Sequence, residues 1–165
     1  MITLRDYQIS DMDRLVKLAN TRNVSRYMIY TFPYPYTEAD AKFWITQGVH
    51  MNNSVMKVIE YEDEFVGSVG FVPQTGWREH IAEIGFWLGE DYWKKGIATA
   101  ALTEMTCIAF EEHSFRKLYA SVLAPNVGSI RVLEKCGYEQ EAHLKTEVIR
   151  DGAYYDVLGY SKFRA

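Results

Sequence analysis

The chain has 165 residues, of which 48% are hydrophobic and 24% charged, and its formal net charge is −4. This balance is typical of a globular protein and excludes a disordered or fibrous chain, and the length predicts a single domain over residues 1–165. Because the net charge is acidic, the sequence does not predict the basic surface that nucleic-acid binding requires, and no nucleic-acid partner is expected.

The first half of the chain predicts a strand, two helices and then three strands. Apolar and polar residues alternate in ITLRDY, residues 2–7, as in a first strand. Ser10 is a good N-cap for a first helix and Thr37 for a second, and an aromatic segment with two prolines separates them. A hairpin with a charged turn at residues 62–64 follows, and then the nearly apolar strand HIAEIGFWLG.

The second half predicts a helix, a strand, a helix and a closing hairpin. A long helix follows Gly96, KLYASVL reads as a strand, and NVGSIRVLEKCGY predicts a helix that ends at Gly137. The turn at Asp151 and Gly152 joins two final strands. Hairpins mixed with strand–helix–strand crossovers predict an α/β or α+β mixed sheet with helices packed on it.

The same sequence predicts a cytoplasmic protein without a membrane segment or a bound metal. The N-terminus is charged too early for a signal peptide, and no window approaches about 20 apolar residues. The two cysteines, Cys107 and Cys136, lie in predicted helices, where reduced, packed thiols are expected. No Cys/His cluster suggests zinc.

The stretch DYWKKGIATAAL, residues 91–102, predicts an anion site. A strand that leads directly into a helix leaves backbone N–H groups unpaired at the helix start, where the helix dipole is positive. Gly96 removes a side chain that would block a ligand, and Lys94 and Lys95 add positive charge. A phosphate or pyrophosphate fits best, although neither the Walker motif nor GxGxxG is present.

Two motifs resemble those of the GNAT N-acetyltransferases. Gly96 and Ala98 match the small positions of their acyl-CoA motif, Arg/Gln-x-x-Gly-x-Gly/Ala, and Trp93 replaces the Arg/Gln, as is typical of the RimJ/RimL-like branch. NVGSIRVLEKCGY, residues 126–138, resembles N-x-x-S-x-R-v-x-E-K-x-G-F/Y of that branch. The resemblance spans nearly the whole chain, and it implies a mostly antiparallel mixed sheet with a splayed strand pair and helices on both faces.

The resemblance also implies that acetyl-CoA binds where the two central strands splay apart. Its pantetheine would pair with the strand edge at residues 86–88, and its pyrophosphate would meet backbone amides of residues 93–99. The expected contacts with the coenzyme are Phe86, Trp87, Leu88, Trp93, Lys94, Lys95, Gly96, Ile97, Ala98, Thr99, Asn126, Ser129 and Arg131.

The family mechanism is direct attack of an amine on the thioester, without a covalent enzyme intermediate. A backbone N–H of Trp87 or Leu88 would polarise the acetyl carbonyl. Glu83, an acidic residue in an otherwise buried strand, is the leading general base, although it could equally lie on an open face or pair with a cation. Leu133 stands where many family members have a tyrosine that protonates the thiolate, so Ser129 is the substitute. Glu147 is the second acidic candidate.

The amine acceptor is the least defined part of the prediction. The aromatic segment RYMIYTFPYPYT would wall its site with Tyr27, Met28, Phe32 and Tyr36. Deprotonation at pH 7 costs roughly 1.4 kcal/mol for an α-amine and roughly 4.6 kcal/mol for a lysine-like amine, which favours the α-amine of a protein or peptide. The alternatives are a small amine (a polyamine, an amino acid or an aminoglycoside) and a CoA-binding sensor without turnover. A homodimer is compatible with the sequence.

Overall fold

One seven-stranded sheet organises the protein. The computed structural model describes residues 1–165, and its strand order is β1-β2-β3-β4-β5-β7-β6. The strands are β1 (Ile2–Arg5), β2 (Val55–Tyr61), β3 (Glu64–Pro73), β4 (Ile81–Leu88), β5 (Lys117–Leu123), β6 (Glu139–Arg150) and β7 (Ala153–Phe163). All neighbouring strands are antiparallel except β4 and β5, which are parallel. The predicted mixed, mostly antiparallel sheet is therefore confirmed.

Five α-helices connect the strands. They are α1 (Met12–Ala19), α2 (Arg22–Ser25), α3 (Glu38–Thr46), α4 (Ile97–Glu111) and α5 (Val127–Lys135). None of these helices combines the length and the apolar character needed to cross a membrane.

The helix ends agree with the sequence at one predicted cap and differ at another. Thr37 caps α3 as expected, since its hydroxyl accepts the Asp40 N–H at 3.2 Å. The prediction that Ser10 caps α1 is wrong. A short 3₁₀ turn precedes α1 instead, and the Asp11 carboxylate accepts the N–H of Gln8 at 2.8 Å while Arg5 holds both of its oxygens.

The sheet separates two hydrophobic cores. Leu102 and Met105 of α4 pack against Ile84 and Leu118 on one face, which we call the α4 face. On the other face, which we call the α1/α3 face, Leu15 and other residues of α1 and α3 pack against β2, β3 and Trp87. Because side chains alternate along a strand, consecutive residues of β4 belong to different faces. Cys136 is buried as expected, whereas Cys107 is exposed on the outer side of α4.

The parallel pairing of β4 and β5 is short. It covers only three residue pairs and ends where Glu83 lies opposite Tyr119. Beyond this pair β4 continues to Leu88, paired only with β3, while β5 continues to Leu123, paired only with β7. The two strands therefore splay apart, and we call the space between residues 84–88 and 120–123 the strand gap. This is the splayed pair that the resemblance implied.

The C-terminal hairpin lies against the N-terminal third of the chain. Asp151 and Gly152 both have positive φ angles, so the predicted turn is confirmed. Just before the turn, the guanidinium of Arg150 donates to the backbone carbonyls of Met28 and Ser25. The hairpin thereby holds the start of residues 26–37, the segment that we call the aromatic loop.

Candidate functional site

The free edge of β4 forms one wall of the strand gap. The N–H of Gly89 pairs with the carbonyl of Val66 on β3, and inward and outward backbone groups alternate along an antiparallel pair. The backbone of Trp87 therefore points to β3, whereas the N–H groups of Phe86 and Leu88 point into the strand gap. Of the two amides expected to polarise the acetyl carbonyl, the geometry favours Leu88 over Trp87.

The start of α4 lies at the mouth of the strand gap and carries unpaired N–H groups. The backbone amides of residues 94–99, which we call the 94–99 loop, donate no hydrogen bond within the chain. Gly96 is the N-cap residue, and no side chain caps the helix. A β-carbon at Gly96 would meet nothing within 4 Å, so space is open above it. Six amide donors at the positive end of a 15-residue helix suit a phosphate group.

Three residues with long side chains flank these amides in different ways. Lys94 and Lys95 are exposed, and the Lys95 ammonium lies 5.3 Å from the ring centroid of Tyr92. Trp93 folds back on the strand, because its indole N–H donates to the Leu88 carbonyl at 2.9 Å. The Trp93 side chain therefore fixes the end of β4. The sequence did not indicate this hydrogen bond.

The start of α5 reaches the same end of the sheet, since α4 and α5 follow two adjacent parallel strands. Asn126 caps α5, its side-chain oxygen accepting the Ser129 N–H at 3.3 Å. The side chain of Ser129 is half-buried and that of Arg131 is exposed, and neither makes a hydrogen bond within the chain. Leu133 is buried in the core, so Ser129 is the residue of this helix that keeps a free hydroxyl near the strand gap.

Glu83 lies at the apex of the strand gap, on the α1/α3 face. It is half-buried, and its carboxylate accepts a hydrogen bond from the Tyr119 hydroxyl at 3.1 Å. Arg78, in the connection between β3 and β4, lies with its guanidinium carbon 5.3 Å from the centre of the Tyr119 ring. Burial, followed by the negative charge of Glu83, raises the pKa of the Tyr119 hydroxyl, so it stays protonated and donating at neutral pH.

The residue after Glu83 on the same face is Gly85, which is exposed although it belongs to a central strand. A β-carbon there would meet no atom within 4 Å. Trp87 follows, and its ring meets the Phe32 ring edge-on with centroids 5.9 Å apart. The aromatic loop therefore borders an opening over Gly85, beside the Glu83 carboxylate.

The four predicted acceptor residues separate into two groups. Tyr27, Met28 and Phe32 are half-buried and lie in the part of the aromatic loop that Arg150 holds. Tyr36 is only 5% exposed and packs in the core with α1 and α3, so its side chain offers no surface to an acceptor. The expectation that Tyr36 walls the acceptor site has no support, because the chain already folds back into the core at this residue.

Glu147, the second acidic candidate, is not beside Glu83. It is exposed in an irregular stretch of β6, where pairing with β7 shifts between Leu144 and Val148. Across the sheet Glu83 lies level with Tyr119, Ser161 and Glu139, whereas Glu147 lies eight residues further along β6. The two carboxylates therefore do not act on the same small group.

Sequence reasoning missed Tyr119, Arg78, Gly85 and Arg150. In KLYASVL, Tyr119 stands on the polar side of an alternating strand, which is a weak signal of a site residue. Its contact with Glu83 depends on the register of two strands 36 residues apart. Nothing local to the sequence indicates that register.

Comparisons with known proteins agree with this geometry. Residues 1–139 match the family described as acetyltransferase (GNAT) domain. The uncharacterized N-acetyltransferase p20 of Bacillus licheniformis is 27% identical over 97% of this chain and 91% of its own length. Spermidine N(1)-acetyltransferase of Vibrio cholerae is 25% identical over 94% of this chain and 89% of its own. The solved structure of RimL, a ribosomal α-N-protein acetyltransferase in complex with coenzyme A, superimposes with a TM-score of 0.85 at 20% identity, covering 98% of this chain and 93% of that one.

Proposed function

The chain belongs to the GNAT acetyltransferase family, and from its site we propose that it is an acetyl-CoA-dependent N-acetyltransferase of the α-amine of a protein or peptide. One observation carries this proposal. The unpaired amides of the 94–99 loop and the free edge of β4 meet at one strand gap, with the Glu83 carboxylate at its apex. The amides of the 94–99 loop would bind a diphosphate, the free edge of β4 would pair with an amide-containing arm, and Glu83 would lie beside a reacting amine.

The residues present fit acetyl-CoA. The amides of the 94–99 loop would hold its diphosphate, and the exposed lysines Lys94 and Lys95 would add charge. The Phe86 backbone would pair with the pantetheine amides, because it has no partner strand on that side. When bound, acetyl-CoA supplies a thioester whose carbonyl carbon accepts the amine nitrogen.

Three groups of this chain would act on the reaction. The Leu88 N–H would donate to the developing negative charge on the acetyl oxygen. Glu83 would take the proton that the amine loses, directly or through a water molecule. The Ser129 hydroxyl, unpaired and half-buried at the start of α5, would donate to the departing sulfur. The new carbon–nitrogen bond replaces the carbon–sulfur bond, and the proton lost by the amine balances the proton gained by the thiol.

The charges near Glu83 favour an acceptor with one amine over a polycation. Arg78 lies next to the Glu83–Tyr119 pair, and Lys117, the next residue of β5 on this face, is bound to Glu141. These cations balance the carboxylates, so the apex has no surplus of negative charge to hold several ammonium groups. The similarity to RimL is one of fold, and the acceptor is therefore argued from these residues.

A small polyamine is the second candidate. The relative from Vibrio cholerae that is similar over nearly the whole chain is a spermidine acetyltransferase. Glu147 is exposed and makes no ion pair, so its carboxylate is free to attract a cationic acceptor.

A transfer screen tests both candidates. The protein is incubated with acetyl-CoA and either peptides with free N-termini, the same peptides with blocked N-termini, spermidine, amino acids or an aminoglycoside, and the release of CoA thiol is followed. We expect transfer to free peptide N-termini and none to blocked ones, with mass spectrometry locating the acetyl group on the α-amine. A higher kcat/KM for spermidine than for every peptide would instead support the second candidate. Acetyl-CoA binding without any transfer would contradict both and support the sensor.

A further inference from the structure

Glu83 and Tyr119 form the last residue pair before β4 and β5 separate. Their side chains lie on the same face of the sheet, at the last of the three residue pairs that join the two strands. The next residue of β4 on this face is Gly85, which leaves the space above it open. The carboxylate of Glu83 thus borders the opening from a part of the sheet that pairing keeps rigid.

Tyr119 occupies one side of that carboxylate. Its hydroxyl donates to the Oε2 atom of Glu83 at 3.1 Å, and no other hydrogen bond reaches either oxygen of Glu83. The phenol is itself held, because its ring is half-buried in β5 and the Arg78 guanidinium lies over it. A side chain of Glu that would otherwise rotate freely is therefore anchored at one oxygen and free at the other.

We propose that Tyr119 is a positioning residue of the transfer reaction, which holds the Glu83 carboxylate oriented with its second oxygen free for the acceptor amine or a bridging water. This inference rests on the proposed function, in which Glu83 receives the amine proton. A hydroxyl that donates to one carboxylate oxygen fixes the direction in which the other oxygen points, and proton transfer requires that oxygen to lie within hydrogen-bond reach of the amine or water.

The charged and titratable groups that face this pair come from three elements. Tyr119 and Lys117 belong to β5, Arg78 belongs to the connection before β4, and Glu141 of β6 lies beyond them. Lys117 is already bound to Glu141. Loss of the Tyr119 hydroxyl therefore leaves Glu83 with no hydrogen-bond donor from the chain.

A spectroscopic comparison at one pH tests the contact without any substrate. The ¹³C chemical shift of the Glu83 carboxyl carbon is recorded in the free wild type and in Tyr119→Phe. We expect this signal to move in Tyr119→Phe, because the carboxylate loses its one hydrogen bond from the chain. The control is Tyr61→Phe, which removes the hydroxyl of another half-buried strand tyrosine that makes no side-chain hydrogen bond and should leave the Glu83 signal in place. An unchanged Glu83 signal in Tyr119→Phe would overturn the proposal.

A double-mutant cycle tests the role in turnover. We expect Glu83→Gln to lower kcat strongly while the calorimetric Kd for acetyl-CoA is unchanged, and Tyr119→Phe to lower kcat about tenfold. Because Tyr119 acts through Glu83, adding Tyr119→Phe to Glu83→Gln should cause no further loss. Multiplying effects would show that Tyr119 acts independently and would overturn the inference, as would a normal kcat in Tyr119→Phe.

The two experiments also separate this inference from the proposed function. A wild-type protein that transfers no acetyl group to any amine contradicts the proposed function and, with it, a role for Tyr119 in turnover. An active wild type with an unaffected Glu83→Gln variant removes Glu83 as the base, and the inference fails while the transferase remains. Urea unfolding of Tyr119→Phe checks that its free energy of unfolding stays within the range of the Tyr61→Phe control.

Discussion

At the scale of single residues, the 94–99 loop shows how backbone conformation makes a binding site. Lys94 and Gly96 both have positive φ angles, of 61° and 79°. Alternating conformations of this kind turn successive N–H groups towards one side of the chain, where they form a concave site for an anion. Glycine adopts such an angle without cost, and the absence of a side chain leaves the approach to the amides open.

Two substitutions at Gly96, one charged and one neutral, should separate the effect of charge on acetyl-CoA binding from the effect of side-chain size. We expect Gly96→Asp to weaken acetyl-CoA binding at least about a hundredfold, because a carboxylate would lie beside the bound phosphates. Gly96→Asn is the matched control, since Asn has the same shape and also tolerates a left-handed backbone, and it should weaken binding far less. Calorimetry gives both affinities. Equal losses in the two variants would show that bulk rather than charge matters, and an unchanged Gly96→Asp affinity would place the diphosphate elsewhere.

At the scale of elements, the C-terminal hairpin is joined to the aromatic loop by one side chain. Arg150 stands at the end of β6 and donates to two backbone carbonyls at the start of the aromatic loop. The neighbouring ion pair of Arg22 with Asp151 is exposed and should contribute little. Arg150 is therefore the main link between the C-terminal hairpin and the aromatic loop.

Removing this link should affect the acceptor and spare the coenzyme. We expect Arg150→Met to raise the KM for the acceptor about tenfold, because the loop loses two hydrogen bonds from a charged donor. The affinity for acetyl-CoA should not change, and amide hydrogen exchange in residues 25–36 should become faster. Arg164→Met is the control, since the Arg164 side chain is exposed and makes no hydrogen bond. An unchanged exchange rate and KM in Arg150→Met would show that the loop is held by its own packing.

At the scale of the whole molecule, local signals predicted the elements, whereas contacts between distant segments were not predictable. The Asp151–Gly152 turn and the end of α5 at Gly137 follow from short-range backbone requirements, and both are confirmed. The contact of Tyr119 with Glu83 requires the register of β4 and β5, and that of Arg150 with Met28 spans 122 residues. Tyr36 reads as a loop residue locally and is buried only because α1 and α3 pack around it. The site is completed by tertiary structure that short patterns do not encode.

Buried tyrosines give the whole fold a defined response to alkaline pH. Burial raises the pKa of Tyr7 to about 12, and it also raises the pKa of Tyr36 and Tyr138 well above the ordinary value. The Tyr7 hydroxyl is buried without a hydrogen-bond partner. These phenols ionise more easily in the unfolded chain, near pH 10, so their contribution to stability is complete below pH 10 and is lost as the pH rises through the folded-state values.

We therefore expect the contribution of these three tyrosines to the free energy of unfolding to be nearly constant from pH 8 to 9.5. Above pH 10 it should fall by about 1.4 kcal/mol per pH unit for each of the three tyrosines. Urea unfolding between pH 8 and 12 measures this slope, and tyrosinate absorbance shows whether ionisation and unfolding coincide. Tyr7→Phe should reduce the slope by about 1.4 kcal/mol per pH unit, because one phenol no longer ionises on unfolding. If the full tyrosinate signal develops while the protein stays folded, the three hydroxyls are accessible to solvent and the packing described around α1, α3 and α4 is wrong.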